Sequence, residues 1–409
     1  MDAIEFGRTL APAPLPANSA KDISMKIALP PEMNEALRLT RGGKLAEASA
    51  LLQRLLGRDS PHPGAAGSRE AAVRGGAAPF SPRPLQAGAA WRSRLPEGML
   101  DPGRTARPQH DHVELVPAGG RFLAETYRDR NGTREYRLYV PSTYVGQPIP
   151  LVVMLHGCTQ NAEDFAIGTR MNQVAEEQSF FVVYPVQSAA ANSSRCWNWF
   201  KASEQRRDSG EPTLIAGIVR NIMRDYTVDP DRVYAAGLSA GGAAAAVLGA
   251  TYPDLFAAIG VHSGLPCGAA SDMPSAFAAM QRGSTNGGAS GRLSPDSGPS
   301  VPTIVFHGDH DKTVHPSNGK QIIAQSRLAG SELKIARRQG RVDGGHAYSQ
   351  SSHFDDTGRA VLEEWVVHGG THAWFGGDAA GSYTDARGPD ASREMVRFFL
   401  KHRRPVSRA

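Results

Sequence analysis

The chain has 409 residues, 40% of them hydrophobic and 21% charged, enough apolar material for one large domain with additions or for two to three ordinary ones. No apolar run reaches the roughly 18 residues that cross a bilayer, which excludes an integral helical membrane protein, and three cysteines can build neither a disulfide scaffold nor a four-cysteine zinc site. The net charge of +5 is local: residues 58–110 hold 8 arginines against 4 acidic residues and 111–409 hold 30 of each sign, so the main body lacks the basic face a nucleic-acid reader needs.

The first 24 residues do not read as an export signal, because Asp2 and Glu5 come early and Pro12, Pro14 and Pro16 break the stretch 11–20. On this reading the location is cytoplasmic. Residues 31–57 carry Leu37, Leu45, Ala48, Leu51, Leu52 and Leu55 at helical spacing. Gly42-Gly43 divides them into two short helices and Gly57 closes the second. The pair resembles one unit of a tetratricopeptide array. No second copy follows, so it is expected to dock on the main domain or on a partner. Residues 58–112, rich in Pro, Gly, Ala and Arg, read as a disordered linker, with too few apolar residues to offset the entropy of ordering.

The pattern changes over 113–409. Apolar runs of strand length fall at 122–127, 136–140, 151–155, 180–184, 233–236, 257–261, 303–306 and 361–367. Helical patterns lie at 162–178, 212–226, 241–252, 318–328 and 390–402. This alternation predicts the α/β class, a mostly parallel sheet with helices on both faces. The short turn at 129–132 predicts an antiparallel hairpin for the first two strands, and the Gly/Ser-rich stretch 283–300 a mobile surface loop.

The sharpest motif is Gly237-Leu238-Ser239-Ala240-Gly241, between a strand pattern and an Ala-rich helix. A serine on such a turn is held with its hydroxyl exposed, and the helix N-terminus favours developing negative charge. A serine nucleophile needs a base and the base an orienting carboxylate, in the chain order Ser, Asp, His. Asp309 and Asp311 compete at the end of the strand pattern 303–306. Asp311 is favoured because it sits farther into the loop, and Asp309 reads as a turn former that satisfies local N–H groups. Among the downstream histidines His372, in a Gly-rich loop before the last helix, is the preferred base. His346 is the runner-up, and His368 reads as a strand-end residue. The turn after 151–155 and the residue following the serine supply an oxyanion hole, assigned to the backbone N–H groups of Cys158 and Ala240.

The stretches LHGCTQNAEDF, RCWNWF, AGLSAGGAAAAVLGATYPDLFAAIGVHSGL, HGDHDKTVHPSN and SREMVRFFLKH together resemble the short-chain poly(3-hydroxyalkanoate) depolymerase and related esterase family, over residues 113–403. The resemblance implies an α/β-hydrolase fold and ester hydrolysis through an acyl-enzyme. Ser239, Asp311 and His372 match the family triad and Cys158 its oxyanion turn. It also suggests export, and it favours a Cys158–Cys196 disulfide with Cys267 as the unpaired thiol. The alternative is two buried thiols, as a reducing cytosol would keep them. The aromatic cluster Trp197, Trp199, Phe200 and the later Trp374 read either as apolar walls for a substrate chain, the two first-named and Trp374 being the substrate-binding candidates, or as packing that fixes a long loop.

The expected function is thus a serine carboxylesterase acting on polyhydroxyalkanoate or its oligomers. The alternatives are a feruloyl or acetyl esterase of plant polysaccharide and, in a different class, an inactive hydrolase-fold binding protein. No cofactor, metal or nucleic-acid partner is expected, and the oligomeric state is not legible.

Overall fold

The computed structural model describes residues 114–284, 301–327 and 332–404. The expected N-terminal helix pair, the linker and nearly all of the 283–300 loop lie outside the described residues.

Ten strands form one sheet in the order β1-β2-β4-β3-β5-β6-β7-β10-β9-β8. In chain order they are β1 (Arg121–Asp129), β2 (Gly132–Val140), β3 (Ile149–Leu155), β4 (Phe181–Pro185), β5 (Val228–Leu238), β6 (Ala258–His262), β7 (Thr303–Gly308), β8 (Lys334–Arg341), β9 (Ala347–Phe354) and β10 (Ala360–Val367). The six central strands are parallel. An antiparallel pair extends each edge, β1 and β2 at one side and β9 and β8 at the other.

The helices are α1 (Ala162–Thr169), α2 (Met171–Gln178), α3 (Gly210–Asp225), α4 (Ala240–Thr251), α5 (Met273–Arg282), α6 (Ser317–Ser326) and α7 (Ala391–Phe399). A strand's side chains alternate between faces, and the core follows that period. Leu151, Val153 and Leu155 of β3 join a cluster with Ile215, Ala243 and Ile322 of α3, α4 and α6. Val152 and Met154 join a second cluster with Phe165, Val174 and Met395 of α1, α2 and α7. The sheet is therefore covered on both faces, which explains its continuously apolar central strands. Among the described residues no helix is long and apolar enough to cross a membrane.

Three features differ from the sequence expectation, the first being α5, which has no counterpart among the predicted helical patterns. The helical pattern 162–178 is broken at Arg170, which takes a left-handed φ of 54° and ends α1 before α2 begins. The hairpin β8–β9 has no counterpart among the predicted strands. Its residues are mostly polar and β8 is exposed along nearly its whole length, so it shows neither an apolar run nor a clean alternation.

Candidate active site

β5 ends at Leu238 and α4 begins at Ala240, leaving Ser239 alone on the turn between them. Ser239 adopts φ 58° and ψ −119°, a conformation that costs a non-glycine residue on the order of 1–3 kcal/mol. The flanking glycines permit it. A Cβ on Gly241 would lie 1.9 Å from the Leu155 carbonyl oxygen, and one on Gly237 would lie 2.4 Å from the Gly241 carbonyl carbon. The Ser239 N–H donates to His262 O at 2.9 Å, tying the turn to the end of β6. Its hydroxyl makes no hydrogen bond with another described residue, so serine and His372 are not yet joined. Such contacts often tighten only when substrate binds.

Asp311 and His372 are joined. Asp311 Oδ2 lies 2.7 Å from His372 Nδ1 across 61 residues of chain. The other carboxylate oxygen accepts from the Thr313 and Val314 N–H groups at 2.9 and 2.8 Å. Burial pushes the Asp311 carboxyl up, but His307, His372 and the Val314 N–H outweigh it and hold the group well below the usual carboxylate range. His307 Nε2 stands 3.5 Å from Asp311 Oδ2 and lies closer, at 2.8 Å, to Val314 O; it braces the loop. With Nδ1 on the carboxylate, His372 Nε2 is the nitrogen left for proton transfer.

The rival residues have other partners. Asp309 accepts from His368 Nδ1 at 2.9 Å and from the Gly369 N–H at 2.7 Å. Gly369 is 60 residues away, so Asp309 clamps two loops together rather than satisfying a local turn. His346 Nε2 lies 2.9 Å from Asp385 Oδ2, and its Nδ1 donates to His368 O at 3.0 Å.

The turn after β3 faces the serine: a Cβ on Gly157 would be 3.7 Å from Ser239 Cβ. Ala240 opens α4, and the first N–H groups of a helix have no acceptor within it. The turn is held from beneath by Gln160, which the sequence reading missed. Gln160 Oε1 accepts from the Gly157 N–H at 2.9 Å, and its Nε2 donates to Asp164 Oδ2 at 2.9 Å and to Ser382 O at 3.1 Å. A buried glutamine three residues after a glycine carries no distinctive signal in one sequence. His262 was also missed. It is buried, its Nε2 accepts from the Phe375 N–H at 3.1 Å, and its ring stacks on Trp374. Burial, with help from His307 and His372, lowers its pKa well below the usual range, keeping a neutral ring behind the serine.

Cys158 and Cys196 form a disulfide, and Cys267 is free. Thr159 N–H donates to Ser194 O at 2.7 Å, and Trp197 Nε1 donates to His156 O at 3.0 Å. A buried Glu211 accepts from the Asn198 N–H at 2.8 Å and from its side-chain amide at 2.8 Å, with Gln187 and Arg134 beside it. These bonds fasten the aromatic loop to the end of β3.

The reading of the tryptophans as walls needs correction. Trp197 and Trp374 are 0% and 1% exposed, and Trp199 is 7%. Trp374 spends its indole N–H on Ser392 Oγ at 3.1 Å and packs edge-on against Phe165. Trp199 lies against Phe200 and beside Pro212, Ile215 and Val247. These rings anchor the loops that flank the site and offer a ligand almost no surface. Among the described residues no group of His, Cys, Asp and Glu side chains is arranged to hold a metal ion.

Residues 134–344 match the family model described as esterase PHB depolymerase. The match takes in Cys158, Ser239 and Asp311 and ends before His372. The chain is 38% identical over 195 residues to poly(3-hydroxyalkanoate) depolymerase C of Paucimonas lemoignei, covering 46% of each protein. It is 31% identical over 251 residues to poly(3-hydroxybutyrate) depolymerase of Ralstonia pickettii, covering 58% of this chain and 50% of the relative. The chain thus spans about half the length of these curated relatives. Among solved structures, an acetyl xylan esterase from Aspergillus awamori superposes with a TM-score of 0.53 at 18% identity, covering 69% of this chain and 99% of the other. That likeness bears on the fold alone, which is that of the α/β-hydrolase esterases. By the extent of the family-model match, the chain belongs to the esterase PHB depolymerase family.

Proposed function

We propose that the protein is a serine carboxylesterase that hydrolyses short-chain polyhydroxyalkanoate or its oligomers. The observation that carries the reading is the strained Ser239 turn on the same sheet edge as the His372–Asp311 pair. In this mechanism His372 Nε2 takes the proton of Ser239 Oγ as the oxygen attacks the ester carbonyl carbon. The carbonyl oxygen becomes an oxyanion facing the N–H groups of Cys158 and Ala240. Collapse breaks the ester C–O bond, and His372 returns the proton to the departing alcohol. Water then attacks the acyl-enzyme through the same base and releases the acid. Asp311 keeps the imidazole in the tautomer this sequence of transfers requires.

The substrate class rests on the two depolymerases to which the chain is similar. A second reading has its own support: the chain is 29% identical to a probable acetylxylan esterase A of Aspergillus flavus, covering 75% of that protein. One experiment separates them. Purified protein is offered poly(3-hydroxybutyrate), 3-hydroxybutyrate oligomers and acetylated xylan, and released acid is measured. Release of 3-hydroxybutyrate above that of acetate supports the proposal. Release of acetate alone supports the alternative. No labelling by a fluorophosphonate probe and no release from any substrate would overturn both.

A further inference from the structure

The segment between Phe375 and α7 crosses the sheet edge and reaches the oxyanion turn. Ser382 anchors it there: its N–H donates to Asp164 Oδ1 at 2.8 Å and its hydroxyl to Asp164 Oδ2 at 2.5 Å. Gln160, which supports Gly157, also donates to Ser382 O. The next residue, Tyr383, is fixed on the other side by Trp374 N–H, which donates to Tyr383 O at 2.7 Å. Tyr383 therefore touches both the oxyanion turn and the loop that carries His372.

Two properties of Tyr383 are not explained by packing. It is 49% exposed although its neighbours Trp374 and Phe375 are buried. Its backbone takes φ 53°, a left-handed conformation unfavourable for an aromatic residue and typical of places where a side chain is aimed for use. Its hydroxyl lies 3.2 Å from Thr159 Oγ1. Thr159 gives its own proton to Cys158 O at 2.6 Å, and a threonine hydroxyl has one proton. Tyr383 must therefore be the donor to Thr159. Its proton is committed, and what remains open is a flat apolar ring beside the turn that would hold the oxyanion.

We propose that Tyr383 is a substrate-positioning residue whose ring seats the aliphatic backbone of a hydroxyalkanoate chain next to the scissile ester. The assignment rests on the esterase reading with Ser239 as nucleophile. An extended chain has methyl and methylene groups that can lie on the ring, whereas a small acetyl ester has little to place there. Tyr383 thus does for an extended substrate what the buried tryptophans cannot.

The test compares the full chain with its Tyr383→Phe and Tyr383→Ala variants on 3-hydroxybutyrate trimer and on nitrophenyl acetate. Melting temperature and fluorophosphonate labelling of Ser239 serve as controls for folding and for the nucleophile. Tyr383→Ala is expected to raise KM for the trimer about ten-fold or more, with a clearly smaller loss on nitrophenyl acetate. Tyr383→Phe, which keeps the ring, is expected to restore most of the preference for the trimer. An equal loss on both substrates in both variants would show that the residue only braces the turn and would overturn the proposal, as would an unchanged ratio in Tyr383→Ala. Failure of the esterase reading looks different: the unsubstituted protein would not cleave the trimer, or Ser239→Ala would, and the proposal falls with it.

Discussion

Asp309 and Asp311 stand two residues apart just after β7 and hold two different histidines, Asp309 to His368 at 2.9 Å and Asp311 to His372 at 2.7 Å. The pairs are not equivalent. The Asp311 side chain has 0% exposure and His372 12%, against 36% and 43% for Asp309 and His368. A buried carboxylate exerts its charge in a poorly screened environment, while an exposed one is screened by water. The difference supports the proposed role of Asp311 as the orienting carboxylate and leaves Asp309 as a clamp between loops.

The two aspartates are separable by substitution. Asp311→Asn is expected to lower kcat by about three to four orders of magnitude, because the imidazole loses its tautomer and its partner. Asp309→Asn is expected to keep kcat within about five-fold, since an exposed pair is worth no more than ~1 kcal/mol. Steady-state rates on one soluble ester decide the matter, and equal losses would reverse the assignment.

Ser239→Ala is expected to reduce ester hydrolysis by several orders of magnitude with an unchanged circular dichroism spectrum. The remaining rate would come from binding and the oxyanion N–H groups alone. Mass spectrometry after fluorophosphonate treatment should find the label on Ser239 and none on the variant. More than a tenth of the activity surviving would refute the nucleophile.

Acid sensitivity follows from Asp311 and Asp385. Burial pushes Asp385 up, but hydrogen bonds from Arg387 and His346 bring its pKa down to about 2. A carboxylate depressed in the folded state contributes stability above its unfolded pKa of about 3.9 and loses it as pH falls toward the folded value. Stability should therefore decline between about pH 4 and pH 2. Asp385→Asn should flatten that decline, by about 1 kcal/mol once solvent screening is allowed for. Urea unfolding at a series of pH values measures it.

The disulfide joins residues 38 apart, and chain entropy assigns such a loop about 4 kcal/mol at most. Cys196→Ser should lower the melting temperature and weaken substrate positioning together, because Trp197 and the Thr159–Ser194 bond are held from the same loop. Titration of denatured, unreduced protein made under oxidising conditions should report one free thiol, that of Cys267. Three would mean that packing alone holds the loop.

We also propose that residues 113–409 form the catalytic unit and that what precedes them is dispensable for chemistry. The candidate site residues lie at Cys158 or later. A chain beginning at residue 111 is expected to cleave soluble short-chain esters at close to the full-length rate. A folded protein with most of its activity lost would show that the N-terminal segment completes the site.

What the sequence determined by itself was governed by local rules. Apolar runs bounded by turns marked the central strands, because strands covered on both faces must be apolar throughout. The Gly-x-Ser-x-Gly pattern marked its turn, because only glycine lets the backbone of β3 and α4 approach so closely. Asp311 and His372 could be named from chain order and loop position, and only its place farther into the loop favoured Asp311 over Asp309. Only the fold assigned each its histidine, because the pairing spans some sixty residues and depends on which loop reaches which. The tertiary structure likewise decided the fate of the tryptophans: their spacing was compatible with a substrate wall or with packing that fixes a long loop, and the surrounding core claimed them. It also supplied β8–β9, Gln160 and Tyr383. Their importance lies in contacts with segments distant in the chain, and a sequence read along its length carries no mark of such contacts.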